Sequence, residues 1–396
     1  MPGGRVWVVM CKEILDNVRD RRSLMAALFY PLLGPVLMIG LLAVVGRTLD
    51  DRSDRPLELP VIGLEEAPDL QAFLGNLGVD VVAGPADEAA AEAAVKAGDL
   101  DVVVIVPPGY QEAMAAGRPA TVRVVIDASR NDAAVDVGRS LRLLEGYGRQ
   151  VGALRLLARG VDPGVVEALA IERVDVSTPQ SQAARLLNLL PYFLIFSVFI
   201  GGMYLAIDAT AGERERGSLE PLLINPIARW ELVTGKLLAT MVFTLLSVVE
   251  TLLAFALMLG LVPLEESLGV RLSLEPGAVL AIFAITLPMI LLAVPLQFIV
   301  ATFTRSFKEA QNYLSFLPLV PALPGTILAF MPVKPTWGAM AVPTFGQQIL
   351  INQVLRGEVV RPGHVVLSAA VTAAVGVLLV ALAVRLYARE RILFGR

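Results

Sequence analysis

The sequence predicts a membrane all-α bundle of six transmembrane helices, with an external α/β domain inserted between helices one and two. Three observations predict it. Hydrophobic residues make up 56% of the 396 residues and charged residues only 18%, against roughly 45–50% and about 25% in soluble globular chains. Six apolar stretches reach the roughly 20 residues that a bilayer crossing needs. Between the first two lies a polar segment, 47–183, whose apolar runs are too short to cross.

The chain divides accordingly into 1–22, a polar N-terminal segment; 23–46, the first span; 47–183, the insert; and 184–396, the remaining spans. The apolar stretches are 24–45, 186–207, 237–259, 278–303, 313–331 and 364–384. Before the first span, Trp7, Met10, Cys11, Ile14, Leu15 and Val18 recur at helical spacing. Lys12, Glu13, Asp16, Arg19 and Asp20 fill the other face. That pattern predicts an amphipathic helix lying in the membrane interface. No small-residue cleavage site follows the first apolar run, so it reads as a span rather than a cleaved signal.

Basic residues in short flanks set the orientation. Arg5, Lys12, Arg19, Arg21, Arg22, Arg214, Arg216, Arg229, Lys236, Arg305, Lys308, Arg385, Arg389, Arg391 and Arg396 fall on one side. Arg271, Lys334, Arg356 and Arg361 fall on the other. Both termini are therefore expected in the cytosol and the insert outside. Within the insert, β-rich runs at 59–64, 79–83, 101–106 and 121–126 alternate with helical stretches near 69–77 and 86–97. A longer helix is expected over 133–159. This alternation predicts an α/β unit. Between Arg47 and Val176 the net charge is −9, and the rest of the chain carries +5. An acidic block beside a mildly basic membrane body argues against nucleic-acid binding.

Several chemistries are absent. One cysteine, Cys11, and one histidine, His364, exclude a disulfide and a Cys/His metal site within one chain. Neither metal nor cofactor is expected. The P-loop pattern fails, since Leu237 follows Gly235-Lys236 and Trp230 stands where the first glycine belongs. Neither G-x-S-x-G nor H-E-x-x-H occurs. The chain is not expected to be an enzyme.

The segment 212–236, GERERGSLEPLLINPIARWELVTGK, is too polar to insert. Its punctuation predicts two short helices. Ser218 would cap the first, with Glu220 and Pro221 in the opening turn. Asn225 would cap the second, with Pro226 at its first position. Such an element suits either contact with a cytosolic partner or a solvated loop whose charges set topology.

The segment resembles the loop of ABC transporter type-2 permeases, E-R-E-x-G-[ST]-L-E-x-L-L-x-x-P followed by R-x-E and G-K. Glu213, Arg214, Glu215, Gly217, Ser218, Leu219, Glu220, Leu222, Leu223, Pro226, Arg229, Glu231, Gly235 and Lys236 stand where that pattern wants them. KEILDNVRDRRSL resembles the family's N-terminal helix. FTRSFKEAQNYLSFLPLVPALPG and VPTFGQQILINQVLRGEV look closest to the NatB-like sodium-extrusion permeases. The resemblance implies that 209–236 is a coupling loop docking on a separate ABC ATPase subunit. Its contact residues would be Glu213, Arg214, Glu215, Gly217, Ser218, Leu219, Glu220, Pro226, Arg229 and Glu231. It also implies a second permease chain, a bacterial inner membrane, and export of sodium or another small cation. Drug, lipid and antibiotic exporters share the family.

Inside the spans, Glu250 is a costly carboxyl at mid-depth. It is either a transport-path group or a structural acid held by a hydrogen bond. Gln297 and Asn188 are weaker candidates, since interhelical hydrogen bonding alone explains such residues. Pro288, Pro295, Pro318, Pro321 and Pro324 predict kinked or broken later spans. The stretch 332–362 is expected to form short helices dipping into the outer leaflet. Two other classes stay open: an ion-driven secondary transporter, and a membrane-anchored sensor.

Overall fold

The computed structural model describes residues 2–54, 56–130, 133–166, 169, 187–218, 226–260, 274–331 and 333–388. The chain forms two compact units, Leu49–Asp175 and a larger one built from Met1–Thr48 and Val176–Arg396. Helices α1 (Pro2–Arg19) and α2 (Arg21–Asp54) open the chain.

The α/β unit carries β1 (Glu58–Ile62), α3 (Pro68–Asn76), β2 (Asp80–Ala83), α4 (Glu88–Ala97) and β3 (Val102–Ile105). It continues with α5 (Tyr110–Ala115), β4 (Arg123–Ile126) and α6 (Ala134–Leu157). The sheet order is β2-β1-β3-β4, with β1 parallel to both β2 and β3, and β4 antiparallel to β3. The pleat sorts the side chains. Leu59, Val61, Val102 and Val104 cluster with Leu70 and Leu74 of α3 and with Leu144 and Tyr147 of α6. Val103 turns to the other face and meets Ala91 and Val95 of α4. A strand covered on both faces has no reason to alternate. β3 accordingly reads VVVI and is buried throughout. Asp87 caps α4 by accepting the Ala90 N–H at 2.8 Å, and Gly98 closes it in the left-handed region. The helices expected at 69–77, 86–97 and 133–159 are thus α3, α4 and α6. The sequence reading did not include α5.

Tyr110 sits in this core, buried in the cluster that Tyr147 packs against, and burial pushes its phenol up from the usual value near 10. The unfolded chain ionises this group from about pH 10 while the fold keeps it neutral. Its contribution is complete below pH 10 and is lost as pH rises towards the folded value. Calorimetry of the full chain is expected to show the wild-type α/β transition falling more steeply above pH 10 than that of Tyr110→Phe.

The larger unit is helical. After α2 come α7 (Leu190–Ile200), α8 (Met203–Ile207), a π-turn over Asp208–Gly212 and a last helical turn, Glu213–Glu215. Then follow α9 (Arg229–Leu259), α10 (Pro276–Thr302), α11 (Phe307–Phe316) and α12 (Leu319–Phe330). Helices α13 (Trp337–Met340), α14 (Phe345–Leu355) and α15 (Pro362–Ala388) complete it. Among the described residues, five segments are long and apolar enough to cross a membrane: Ala27–Val44, Leu190–Glu215, Arg229–Leu259, Pro276–Thr302 and Pro362–Tyr387. The expected span over 313–331 is divided instead between α11 and α12. Pro318 removes the N–H that a continuous helix would give to Leu314, and Leu317 turns back on that carbonyl at 3.2 Å.

Other prolines are absorbed inside helices. Pro35 leaves the Pro31 carbonyl without its donor, and the Thr251 hydroxyl of α9 approaches that oxygen at 3.4 Å. Pro295 does the same to Leu291. Gly376 of α15 lies against that carbonyl, where a Cβ would come within 2.6 Å of the oxygen. The core runs through α7, α9, α10 and α14, from Leu190 and Phe199 to Phe255, Phe298 and Leu350.

Candidate functional site

The charged segment after α8 is built by backbone geometry first. Gly217 takes a left-handed conformation, φ 67°. Its N–H bonds Arg214 O at 3.1 Å and the Ser218 N–H bonds Glu213 O at 3.0 Å. That pair of bonds is a Schellman stop, which favours glycine at its left-handed position. The Ser218 hydroxyl also donates to Glu213 O, at 3.3 Å. Ser218 therefore closes the preceding helix. Whether it opens another, as expected, falls on 219–225, which lie outside the described residues together with Leu219, Glu220, Leu222, Leu223 and Asn225. The expected start at Pro226 is corrected. Helix α9 begins at Arg229, where Ala228 is the N-cap and its N–H donates to Glu231 Oε2 at 3.0 Å. The carboxylate three residues on supplies the acceptor, so the Asn-Pro start is unused.

The centre of the site is Lys236, 1% exposed. Its ammonium pairs with Glu213 Oε1 at 2.5 Å and Glu13 Oε1 at 3.6 Å, and donates to Ala209 O at 3.0 Å. The π-turn presents that carbonyl: the Glu213 N–H reaches back to Asp208 O, widening the helix by one residue. Glu213 and Glu13 are themselves buried. Lys12 extends the chain of charges to the surface, 3.0 Å from Glu13 and 3.3 Å from Asp16. Partial burial works against the Lys12 charge, but these carboxylates outweigh it and hold its amine above the ordinary value. One lysine thus ties α1, the end of the α8 segment and α9 together.

Helix α1 reaches Lys236 because Gly235 has no side chain. A Cβ there would stand 2.6 Å from Val9 Cβ and 3.0 Å from Val6 O. The buried face of α1 is Val9, Glu13 and Asn17, a strict i, i+4, i+8 row. Trp7, Val8, Leu15 and Val18 stay exposed. The amphipathic reading placed Glu13 on the polar face. Its partner, Lys236, lies 223 residues away, beyond the reach of local periodicity.

Further bonds lock the same segment to the α10–α11 corner. Arg214 donates to Thr304 O and Thr302 O, both at 2.8 Å. Glu215 Oε2 accepts the Phe307 N–H at 2.7 Å. Arg216 pairs with Asp208 at 2.7 Å. Arg5 donates to Pro226 O at 3.0 Å and lies 3.7 Å from Glu231. Glu213, Arg214 and Glu231, singled out in this loop, therefore face the bundle. Glu215, Arg216, Gly217 and Pro226 are the exposed ones, and Arg229 is half-buried and engaged. Sequence reasoning left Lys236, Gly235 and Glu13 off the candidate site. The G-K pair of the motif was the signal that pointed to two of them.

The in-span candidates lie apart from this joint. Gln297 is fully buried and donates to Phe199 O at 2.6 Å, just before the Gly201-Gly202 break. That contact is the interhelical bond foreseen for it. Glu250 Oε2, Asn188 Oδ1 and Gln297 Oε1 are buried without a hydrogen-bond partner. No hydrogen bond joins the three among the described residues. No group of three or more His, Cys, Asp or Glu side chains that could hold a metal ion occurs among the described residues either.

A body of long apolar helices, with a buried ionic joint binding three of its segments, defines an integral membrane protein of the permease class. Residues 26–385 match the family described as ABC-2 family transporter protein, and the chain belongs to that family. It is 27% identical over 359 residues to the ABC transporter permease protein NatB of Bacillus subtilis, covering 88% of this chain and 89% of that one. It is 25% identical over 332 residues to the probable multidrug ABC transporter permease YbhS of Escherichia coli K12, covering 80% and 78%. No solved structure matches. The chain is thus an ABC-2-type permease, the transport component that works with an ATP-binding subunit.

Proposed function

We propose that this permease is the membrane subunit of an exporter, and that the segment 209–236 carries the partner ATPase's motion into the bundle. The observation behind this reading is the Lys236 joint. Glu213, Glu13 and the Ala209 carbonyl meet on one buried ammonium, while Arg214 and Glu215 clamp the same segment to α10 and α11. A push on the loop would then move several helices as one body. Exposed Glu215, Gly217 and Pro226, with the intervening Leu219 and Glu220, are the surface offered to the ATPase.

In this reading α11 and α12 together make a sixth crossing. Both termini are cytosolic and the unit Leu49–Asp175 is external. Two permease chains complete the path in a bacterial inner membrane. Glu250, Gln297 and Asn188, each with one buried oxygen that has no partner, are the groups assigned to that path. The cargo is sodium or another small cation. The name of the Bacillus relative carries no substrate, and the resemblance to the sodium-extrusion branch supports this cargo. The second reading is a drug, lipid or peptide, favoured by the Escherichia relative described as a probable multidrug permease.

Glu220→Lys tests the coupling role. In the complex with its ATPase, this variant is expected to lose at least tenfold of ATP-driven export while the chain still folds and inserts; a change of that size is about 1.4 kcal/mol of coupling. Unaltered export and ATP hydrolysis would remove the loop from the mechanism.

A further inference from the structure

The α/β unit leaves one strand edge open beside a helix. Among the described residues no strand pairs with the outer edge of β4, the last strand in the order β2-β1-β3-β4. Strand β4 reads RVVI and pairs with β3 in unbroken register, with neither a proline nor a bulge. Such an edge is a template for another chain, and proteins commonly blunt it. The opposite edge strand, β2, is followed at once by Gly84-Pro85.

A groove of about 650 Å³ runs beside β4. Its lining takes in every residue from 123 to 128, whereas a cavity over one face of a strand would meet alternate residues only. The groove therefore follows the backbone edge. Its other wall is one stripe of α4, Glu88, Glu92, Val95 and Lys96, at the i, i+4, i+7, i+8 spacing of a single helix face.

Charge along the groove is ordered. Arg123 pairs with Glu88 at 2.8 Å, and Val125 packs with Ala91 and Val95 of α4. By the period of two, Asp127 belongs to the same face. Helix α4 joins the parallel strands β2 and β3, and β4 is antiparallel to β3, so α4 and β4 point the same way. Four residues of helix rise about 6 Å, and two residues of strand about 6.7 Å. Glu92 thus stands level with Val125, and Lys96 level with Asp127.

We propose that β4 pairs antiparallel with β4 of a second copy of this chain, about a two-fold axis beside Val125. Hydrogen-bonded and non-hydrogen-bonded pairs alternate along an antiparallel ladder, so a strand that meets its own copy must centre on one residue. Centred on Val125, Arg123 of each copy faces the partner's Asp127. The same axis passes Glu92 and sets Glu88 of each copy towards the partner's Lys96. Negative and positive charges then alternate across the seam, in the order Glu88, Arg123, Asp127, Lys96. Centring on Val124 or Ile126 loses the match of Arg123 with Asp127. This self-complementarity, made twice by the two-fold, selects a second copy over an unrelated extended peptide. The interface rests on the two-chain reading of the permease and gives it a contact surface.

The test is oxidative cross-linking of the full chain in membrane vesicles, in a Cys11→Ser background with two tags to follow pairs. Facing residues in an antiparallel ladder lie about 4.5–5.5 Å apart at Cα, within disulfide reach. Val125→Cys is expected to link the two copies. Val124→Cys and Ile126→Cys are each expected to stay unlinked alone. They should link when one copy carries the first and the other copy the second, because 124 and 126 face each other in this register. Adding Lys96→Glu to Val125→Cys is expected to slow linking about fivefold, since two attractive pairs become repulsive. Adding Glu92→Gln is expected to speed it about twofold, since the two Glu92 carboxylates approach at the axis. Copies that co-purify by their tags, yet link neither through 125 nor through the 124–126 combination, would overturn this interface and keep the two-chain reading. Copies that never co-purify would overturn both. Val124→Cys linking to itself would overturn the register. Val125→Cys linking to a different protein would mean that the groove holds a foreign strand, and would overturn the proposal.

Discussion

Lys236→Met is expected to destabilise the permease by about 3–5 kcal/mol, the cost of breaking a buried ion pair from one side. The reason is the company Lys236 keeps. Glu213 and Glu13 are 5% and 3% exposed, and both direct an oxygen at the same ammonium. Removing it strands Glu213 where water does not reach and leaves Glu13 with Lys12 alone. Chemical unfolding of the purified chain should show the loss as an earlier transition. Adding Glu213→Gln to Lys236→Met should restore part of it, because the second change removes the stranded charge. Lys236→Arg is not expected to be benign, since a planar guanidinium does not fit three acceptors around a point charge. A Lys236→Met chain that unfolds with the wild type would show that the joint carries no stability. The assignment of α1, the α8 segment and α9 to one mechanical body would go with it.

Gly202→Val is expected to cost about 1–3 kcal/mol by overpacking, and to reduce transport alongside. The Gly201-Gly202 break lies against a seam of hydroxyls on α9: Thr240, Thr244, Ser247 and Thr251, each at most 1% exposed. A Cβ on Gly202 would reach 2.9 Å from Thr240 Cγ2 and come closer still to the Thr244 hydroxyl. Across the same seam, Ser197 and Ser247 share a hydrogen bond at 2.9 Å, and Thr251 donates to Ser197 Oγ at 2.8 Å. Small residues and hydroxyls let membrane helices approach closely where hydrophobic burial offers no net gain. Thermal unfolding of Gly202→Ala, Gly202→Val and Gly202→Val with Thr244→Ala would check the argument. The first should already cost stability, since its Cβ is the atom that meets Thr240 and Thr244, the second should cost more, and the third should be partly repaired. Equal stability of all three would mean that the helices are not in contact there.

The stretch that carries Glu213, Gly217 and Lys236 was legible in order along the chain. The E-R-E-x-G-[ST] run and the G-K pair stood out as motif, while the helix stop at Gly217 and the contact of α1 with Gly235 came only from the structure. What could not be read was the direction in which the charges point. Glu213, Arg214 and Glu231 match a loop motif and were assigned to a partner. In the fold they bind Lys236, the α10–α11 corner and the Ala228 N–H. A conserved-looking charge pattern does not distinguish an outward contact from an inward brace when the partners are tens or hundreds of residues apart.

The sequence by itself determined the long apolar helices, the strand–helix alternation between 59 and 126, and the punctuation by the prolines. These are properties of neighbouring residues: apolar length, side-chain period and permitted backbone angles. The tertiary structure alone decided that β4 runs antiparallel and that Glu13 turns inward. Each of these depends on which distant segment supplies the facing atom, and an unpaired charge or amide is costly enough in an apolar interior for that choice to override local preference.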